Sequence, residues 1–141
     1  MKHLLKQLLV LGAVLGALWA ATAWPRINDV ETGKTPEYPD LRVHDYGAVP
    51  DAVVKGLKTI TTRLPRWEIV GVGKGPAGAE IQAVHTMAVF PFKYDVTIRV
   101  RREGSRTHVS ARSKSRTGAW DFGQNARNIR ELLEALDHEV F

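Results

Sequence analysis

A chain of 141 residues, 44% hydrophobic and 25% charged, has room for one globular domain of ordinary size. It contains no cysteine, which excludes disulfides, thiol nucleophiles and thiolate metal sites. The net charge of +5 is unevenly spread: seven basic residues lie between Arg99 and Arg116 against the single acid Glu103.

Residues 1–24, MKHLLKQLLVLGAVLGALWAATAW, open with Lys2 and Lys6 and then run uncharged from Gln7 to Trp24. As a helix that run reaches roughly 25 Å, a little short of a hydrocarbon core of about 30 Å. Ala21 and Ala23 make the small-x-small pattern of a signal-peptidase cut, whereas Trp24 suits the interfacial belt of a retained anchor. A mature chain starting Trp-Pro would be unusual, so a single-pass anchor is the expectation and a cleaved signal peptide the alternative. In both cases Lys2 and Lys6 hold the N-terminus inside and send the remainder outward, to the periplasm of a bacterial cell.

Residues 25–47 carry Pro25, Gly33, Pro36, Pro39 and Gly47 without apolar periodicity, and read as an extended linker lying on a domain of residues 48–141. In VPDAVVKGLKTITTRL, Val53, Leu57, Ile60 and Leu64 recur at helical spacing, Pro50 suits the first turn and Pro65 ends the helix. Gly56 and three threonines would weaken that helix in isolation, so packing has to hold it. RWEIVGV and AEIQAVHTM alternate around a glycine-rich loop as a hairpin.

KYDVTIRVR sets Tyr94, Val96, Ile98 and Val100 on one face and Asp95, Thr97, Arg99 and Arg101 on the other. After the turn REGSR, THVSARS returns with Thr107, Val109 and Ala111 inward. A last helix from about Phe122 to Glu139 carries the stripe Ile129, Leu132, Leu133, Leu136 and Val140. The expected fold is α+β: an anchor, a helix, a four-stranded antiparallel sheet and a C-terminal helix packed on one sheet face.

The chemistry-bearing motifs are weak. Gly73–Gly78 fits G-x-G-x-x-G, but a strand follows it and Pro76 removes an amide, so it reads as a hairpin loop and not a nucleotide cradle. His3, His44, His85, His108 and His138 show no metal-ligand spacing, and no nucleophile elbow appears, so neither a cofactor nor a metal is expected. His44-Asp45 invites a general-base reading, yet it lies in the linker.

Two features remain. Arg99, Arg101 and Arg112, with His108, share one strand face, which points to anionic lipid or an acidic partner. Nucleic acid is not expected, because no stacking aromatics are interleaved with these bases. The stretch SARSKSRTGAWDFGQNARNIRELL, residues 110–133, crowds polar residues at the join of strand and helix. Asp121 and Gln124 are spaced as a capping box, and Gly118 and Gly123 suit turn geometry. Asn125 should then face Asn28 and Asp29 in the linker. Arg116 is the expected charge partner of Asp29 or Asp121, and Arg112 is expected to point into solvent.

These residues also resemble the family called domain of unknown function 1499. Arg112, Ser113, Ser115, Arg116, Gly118, Asp121, Gly123 and Asn125 match its C-terminal signature. Asn28, Asp29 and Val30 are similar to its Asn-Asp-Val segment, and FPFKYDVTIRV to the start of one of its strands. Where the family tends to place two consecutive acids this chain has Tyr94-Asp95, so no role for paired carboxylates carries over. The resemblance, over about residues 27–136, implies an envelope or plastid protein, often membrane-tethered, without an established activity.

The reading that follows is a membrane-tethered, exported, non-catalytic accessory domain whose basic face meets anionic lipid or a membrane complex. The alternatives are a module for a small anionic ligand, held by Arg112, Arg116 and the amides near Phe122 and Gly123, and an uncharacterised hydrolase.

Overall fold

The computed structural model describes residues 1–139 and 141. Helix α1, Lys2–Ala23, has 22 residues, a mean hydropathy of 1.8 in its most apolar window and no buried side chain. It spans about 33 Å at 1.5 Å per residue, because the helix begins at Lys2 and not at the uncharged run. It is long and apolar enough to cross a membrane or to serve as a signal sequence.

Strands β1 (Asp29–Glu31) and β2 (His44–Tyr46) follow, then α2 (Pro50–Arg63). Next come β3 (Trp67–Gly75), β4 (Gly78–Thr86), β5 (Lys93–Glu103), β6 (Arg106–Ser115) and α3 (Gln124–Asp137). The sheet is therefore six-stranded, not four-stranded, with order β1-β6-β5-β4-β3 and β2 also on β6. All pairings are antiparallel.

Both extra strands come from the expected linker, and they lie end to end along one edge of β6: Val30 pairs Ser113, and Asp45 pairs His108. Three residues each, they cannot show an alternating pattern, and each sends one apolar side chain inward, Val30 or Tyr46.

Both helices cover one face. Val53, Leu57 and Ile60 of α2 and Ile129, Leu132, Leu133 and Leu136 of α3 are buried against Ile81, Val96, Ile98, Val100 and Val109. Each such aliphatic side chain contributes about 1.5–3 kcal/mol on leaving water. Val140, expected in the α3 stripe, lies outside the described residues. The weak points of α2 are met as packing requires. A Cβ at Gly56 would lie 2.6 Å from the Phe141 ring, and the Thr61 hydroxyl donates to the Leu57 carbonyl at 3.0 Å. Gly73–Gly78 is the tip of the β3–β4 hairpin.

Candidate functional site

The polar stretch at the β6–α3 join folds into a buried network. Inward positions of β6 alternate, so Ser113 and Ser115 lie below Val109 and Ala111 on the helix-covered face. The Ser113 hydroxyl donates to Asn125 Oδ1 at 2.7 Å and accepts from Asn128 Nδ2 at 3.2 Å. Asn125 Nδ2 donates to Asp121 Oδ2 at 2.6 Å and to Asn28 Oδ1 at 3.4 Å, and Asn28 donates in turn to the Gly118 carbonyl. Asn125 and Asn128 are fully buried and Asp121 is 5% exposed, and each of these side chains has a hydrogen-bond partner inside the network.

The expected contact between Asn125 and Asn28 is present. Asp121 does cap α3, two residues before the N-cap position, which Gly123 holds at φ +78. Its two oxygens accept the N–H groups of Gly123 at 2.8 Å and Asn125 at 3.2 Å. Gln124 does not close a capping box; its amide donates to Asn128 Oδ1 at 2.8 Å. Gly118, at φ +77, makes the turn that Asn28 grips.

The arginine assignments require correction. Arg112, expected in solvent, holds Asp29 through both carboxylate oxygens, with Nε donating at 2.8 Å. This pairing keeps the Asp29 carboxyl below the usual range. Arg116, expected on Asp29 or Asp121, instead grips Asp95 across β5, with Nη2 donating at 2.8 Å. Arg112 lies opposite Glu31 in the β1 register, two pairs from Asp29 and on the same strand face, whereas Arg116 follows the end of β6 and folds back toward β5.

The strand face carrying Arg99, Arg101 and Arg112 is mixed in charge. Arg99 is clamped between Glu80 at 3.1 Å and Glu31 at 3.3 Å, and His108 sits 3.2 Å from Asp45 and 3.1 Å from Glu103. Those acids arrive from β1, β2, β4 and the last residue of β5, so a count along residues 99–116 does not see most of them. The seat proposed for a small anion at the α3 N-terminus is filled by the Asp121 carboxylate. Asn28, Asp121 and Asn125 thus converge, while Arg99, Arg101, Arg112 and Arg116 do not join them.

A second site gathers at the foot of α1. Trp24, just past the helix, packs edge-on against Trp19 and Phe122, with centroids 5.2 and 6.3 Å apart, and Phe122 stacks on Trp120 at 4.2 Å. Arg26 lies over the Trp120 ring at 5.3 Å and Arg127 over the Trp24 ring at 5.9 Å. Neither forms an ion pair among the described residues, in contrast to Arg99, Arg112, Arg116 and Arg130. A Cβ at Gly123 would stand 2.5 Å from the Trp24 ring, so the glycine that opens α3 also admits the aromatic that follows α1.

Beside this cluster a cleft of about 530 Å³ lies between the Met87–Tyr94 segment and the Ser115–Phe122 turn, with Arg127 on its wall. The sequence reading passed over it. Its signal was there: Met87–Phe92 is an apolar run without alternation, interrupted by Pro91, between two clear strands.

A family model described as "Protein of unknown function (DUF1499)" matches residues 20–136. The chain belongs to the DUF1499 family. The match begins in the last turns of α1 and takes in β1 and β2, so in this DUF1499 chain the segment after α1 is part of the domain. The signature residues of the resemblance are those of the buried network and its two arginine pairs. A comparison with curated proteins finds no match. Among the described residues of this DUF1499 chain, no group of three or more His, Asp or Glu is placed to hold a metal ion.

Proposed function

We propose that this chain is a membrane-tethered, non-catalytic domain of the bacterial envelope, held by α1 in the inner membrane with residues 25–141 on the periplasmic side. It would meet anionic lipid headgroups, or an acidic surface of a membrane complex, as an accessory component. The observation that supports this best is the cluster at Trp24. An apolar helix with no buried side chain ends at Trp19 and Trp24 against Phe122 and Trp120, with Arg26 and Arg127 beside them and free of carboxylate partners among the described residues. Aromatic rings and unpaired cations together suit the bilayer interface, where each basic residue near an anionic surface contributes about 1 kcal/mol. Contact therefore shifts from the β5–β6 face, where Arg99 and Arg112 are spent on internal acids, to the foot of the anchor. Arg101 is the cation of that face that forms no ion pair among the described residues.

The absence of native cysteine makes the topology test simple. A Ser105→Cys variant, at the exposed β5–β6 turn, should react with an impermeant maleimide on intact spheroplasts. A His3→Cys variant should react only after lysis. The lipid arm is the phospholipid that copurifies with the full chain: acidic phospholipid should be enriched, and Arg26→Gln with Arg127→Gln should abolish the enrichment. An unreactive Ser105→Cys, or a lipid profile identical to the bulk membrane with no acidic protein bound, would remove this reading.

A further inference from the structure

Resting on that tethered reading, we propose that the cleft at the foot of α1 seats one acyl chain of an anionic phospholipid, with the headgroup beside Arg127. At about 530 Å³ it lies within the range of roughly 300–1,000 Å³ typical of pockets that bury small ligands. Met87, Phe90 and Phe92 form one wall, Trp120 and Phe122 the other. The apolar material continues outward from the mouth: Val89 is 78% exposed, Phe90 56%, Phe92 44% and Phe122 45%. A contiguous apolar rim of this kind is what a membrane- or ligand-contact surface presents.

Three observations narrow the occupant to a lipid. First, Phe122 is both a wall of the cleft and the contact of Trp24, so the cleft sits at the end of the apolar helix, where acyl chains are at hand. Second, among the described residues Arg127 bonds only neutral oxygens, those of Gln124 and the Phe122 carbonyl, and keeps its charge available to a phosphate. Third, the indole N–H of Trp120 is buried and meets no acceptor among the described residues. The atom is closed off in this structure, so an ester carbonyl would supply that acceptor by turning the indole toward the cleft; an unpartnered buried donor is otherwise costly. Asp121 also borders the cleft, but its oxygens already accept from Gly123 and Asn125, so it offers no counter-demand for a cation.

The test uses the full chain in nanodiscs of phosphatidylglycerol carrying a diazirine on one acyl chain. After irradiation, peptides are mapped. Adducts should appear on α1 and also on the Met87–Phe92 and Thr117–Phe122 segments. Thr117→Trp, at an exposed position on the cleft wall, should lower the cleft adducts at least fivefold and leave the α1 adducts unchanged. Arg127→Gln should remove the preference for phosphatidylglycerol over phosphatidylcholine at the cleft. Adducts on α1 alone would overturn the acyl-chain site while sparing the tether. Absence of adducts on α1 would strike at the tether itself. Cleft peptides joined to a second copy of the chain would replace the lipid by a protein contact.

Discussion

Arg112 holds Asp29 through both carboxylate oxygens, fastening β6 to the first strand after α1. The pair is about two-fifths exposed on each side. Arg112→Lys keeps the charge but loses the planar fork, and should cost about 1 kcal/mol, the upper end for a partly exposed pair. Arg116→Lys, acting on the more exposed Asp95 pair, should move the melting temperature less. Urea denaturation of both variants ranks them, and the opposite order would reinstate Arg116 as the structural arginine.

Asn125 joins β6, the α3 cap and the segment after α1 through Ser113, Asp121 and Asn28. Asn125→Ala would leave buried polar groups without partners and should cost about 2 kcal/mol. Asn125→Asp, which sets a second carboxylate against Asp121, should cost at least as much. A loss in Asn125→Ala within the range of ordinary surface changes would show that the network is dispensable.

Stability should fall in two steps on acidification. His85 is 4% exposed between Trp67 and Tyr94. Burial holds its pKa below the ordinary imidazole value, with Glu131 opposing and Arg66 adding to the shift. The folded state binds this proton more weakly than the unfolded one. The contribution is thus complete above about pH 6.5 and is lost as pH drops toward the depressed folded value. Asp29 and Asp40 are held low by bonds from Arg112 and Arg130, so their contribution is lost only as pH drops below about 3.9. His85→Gln should flatten the upper step and leave the lower one. Melting curves between pH 3 and 8 decide it, and an unchanged upper step would remove His85 as its source.

Where the chain is cut should matter more than a linker would allow. A fragment starting at residue 25 keeps β1 and β2, whereas one starting at residue 48 bares an edge of β6 and removes Val30, Leu41 and Tyr46 from the core. Unpaired edges template association. Light scattering should find the longer fragment monomeric and the shorter one aggregated; equal behaviour would return residues 25–47 to the status of a passive tether.

Local period made much of the fold legible. Val53, Leu57 and Ile60 announced α2, the Tyr94–Val100 alternation announced β5, and the inward faces followed from parity. What was hidden is non-local. Val30 and Tyr46 become strand residues only because β6 offers them an edge, and Glu31 meets Arg99 across 68 positions. Arg112 and Arg116 were exchanged because composition shows that two arginines have acids available, not which acid each register brings near. The cleft escaped notice because its walls are joined by no shared pattern: one is an apolar loop, the other a turn read for its polar residues.

The pairing of β1 and β2 with β6 also sets the order of events as the protein is made. Asp29 and His44 leave the ribosome long before Lys114 and Val109, their partners. The hairpins from β3 to β6 need only neighbours in sequence, whereas the two short strands need a nearly finished chain, and contacts of such long separation are slow to form. If α1 has already entered the bilayer by then, the domain closes its sheet while attached. In that case the last step would zip residues 29–46 onto β6, with Trp24 arriving on Phe122 as the sheet edge is sealed.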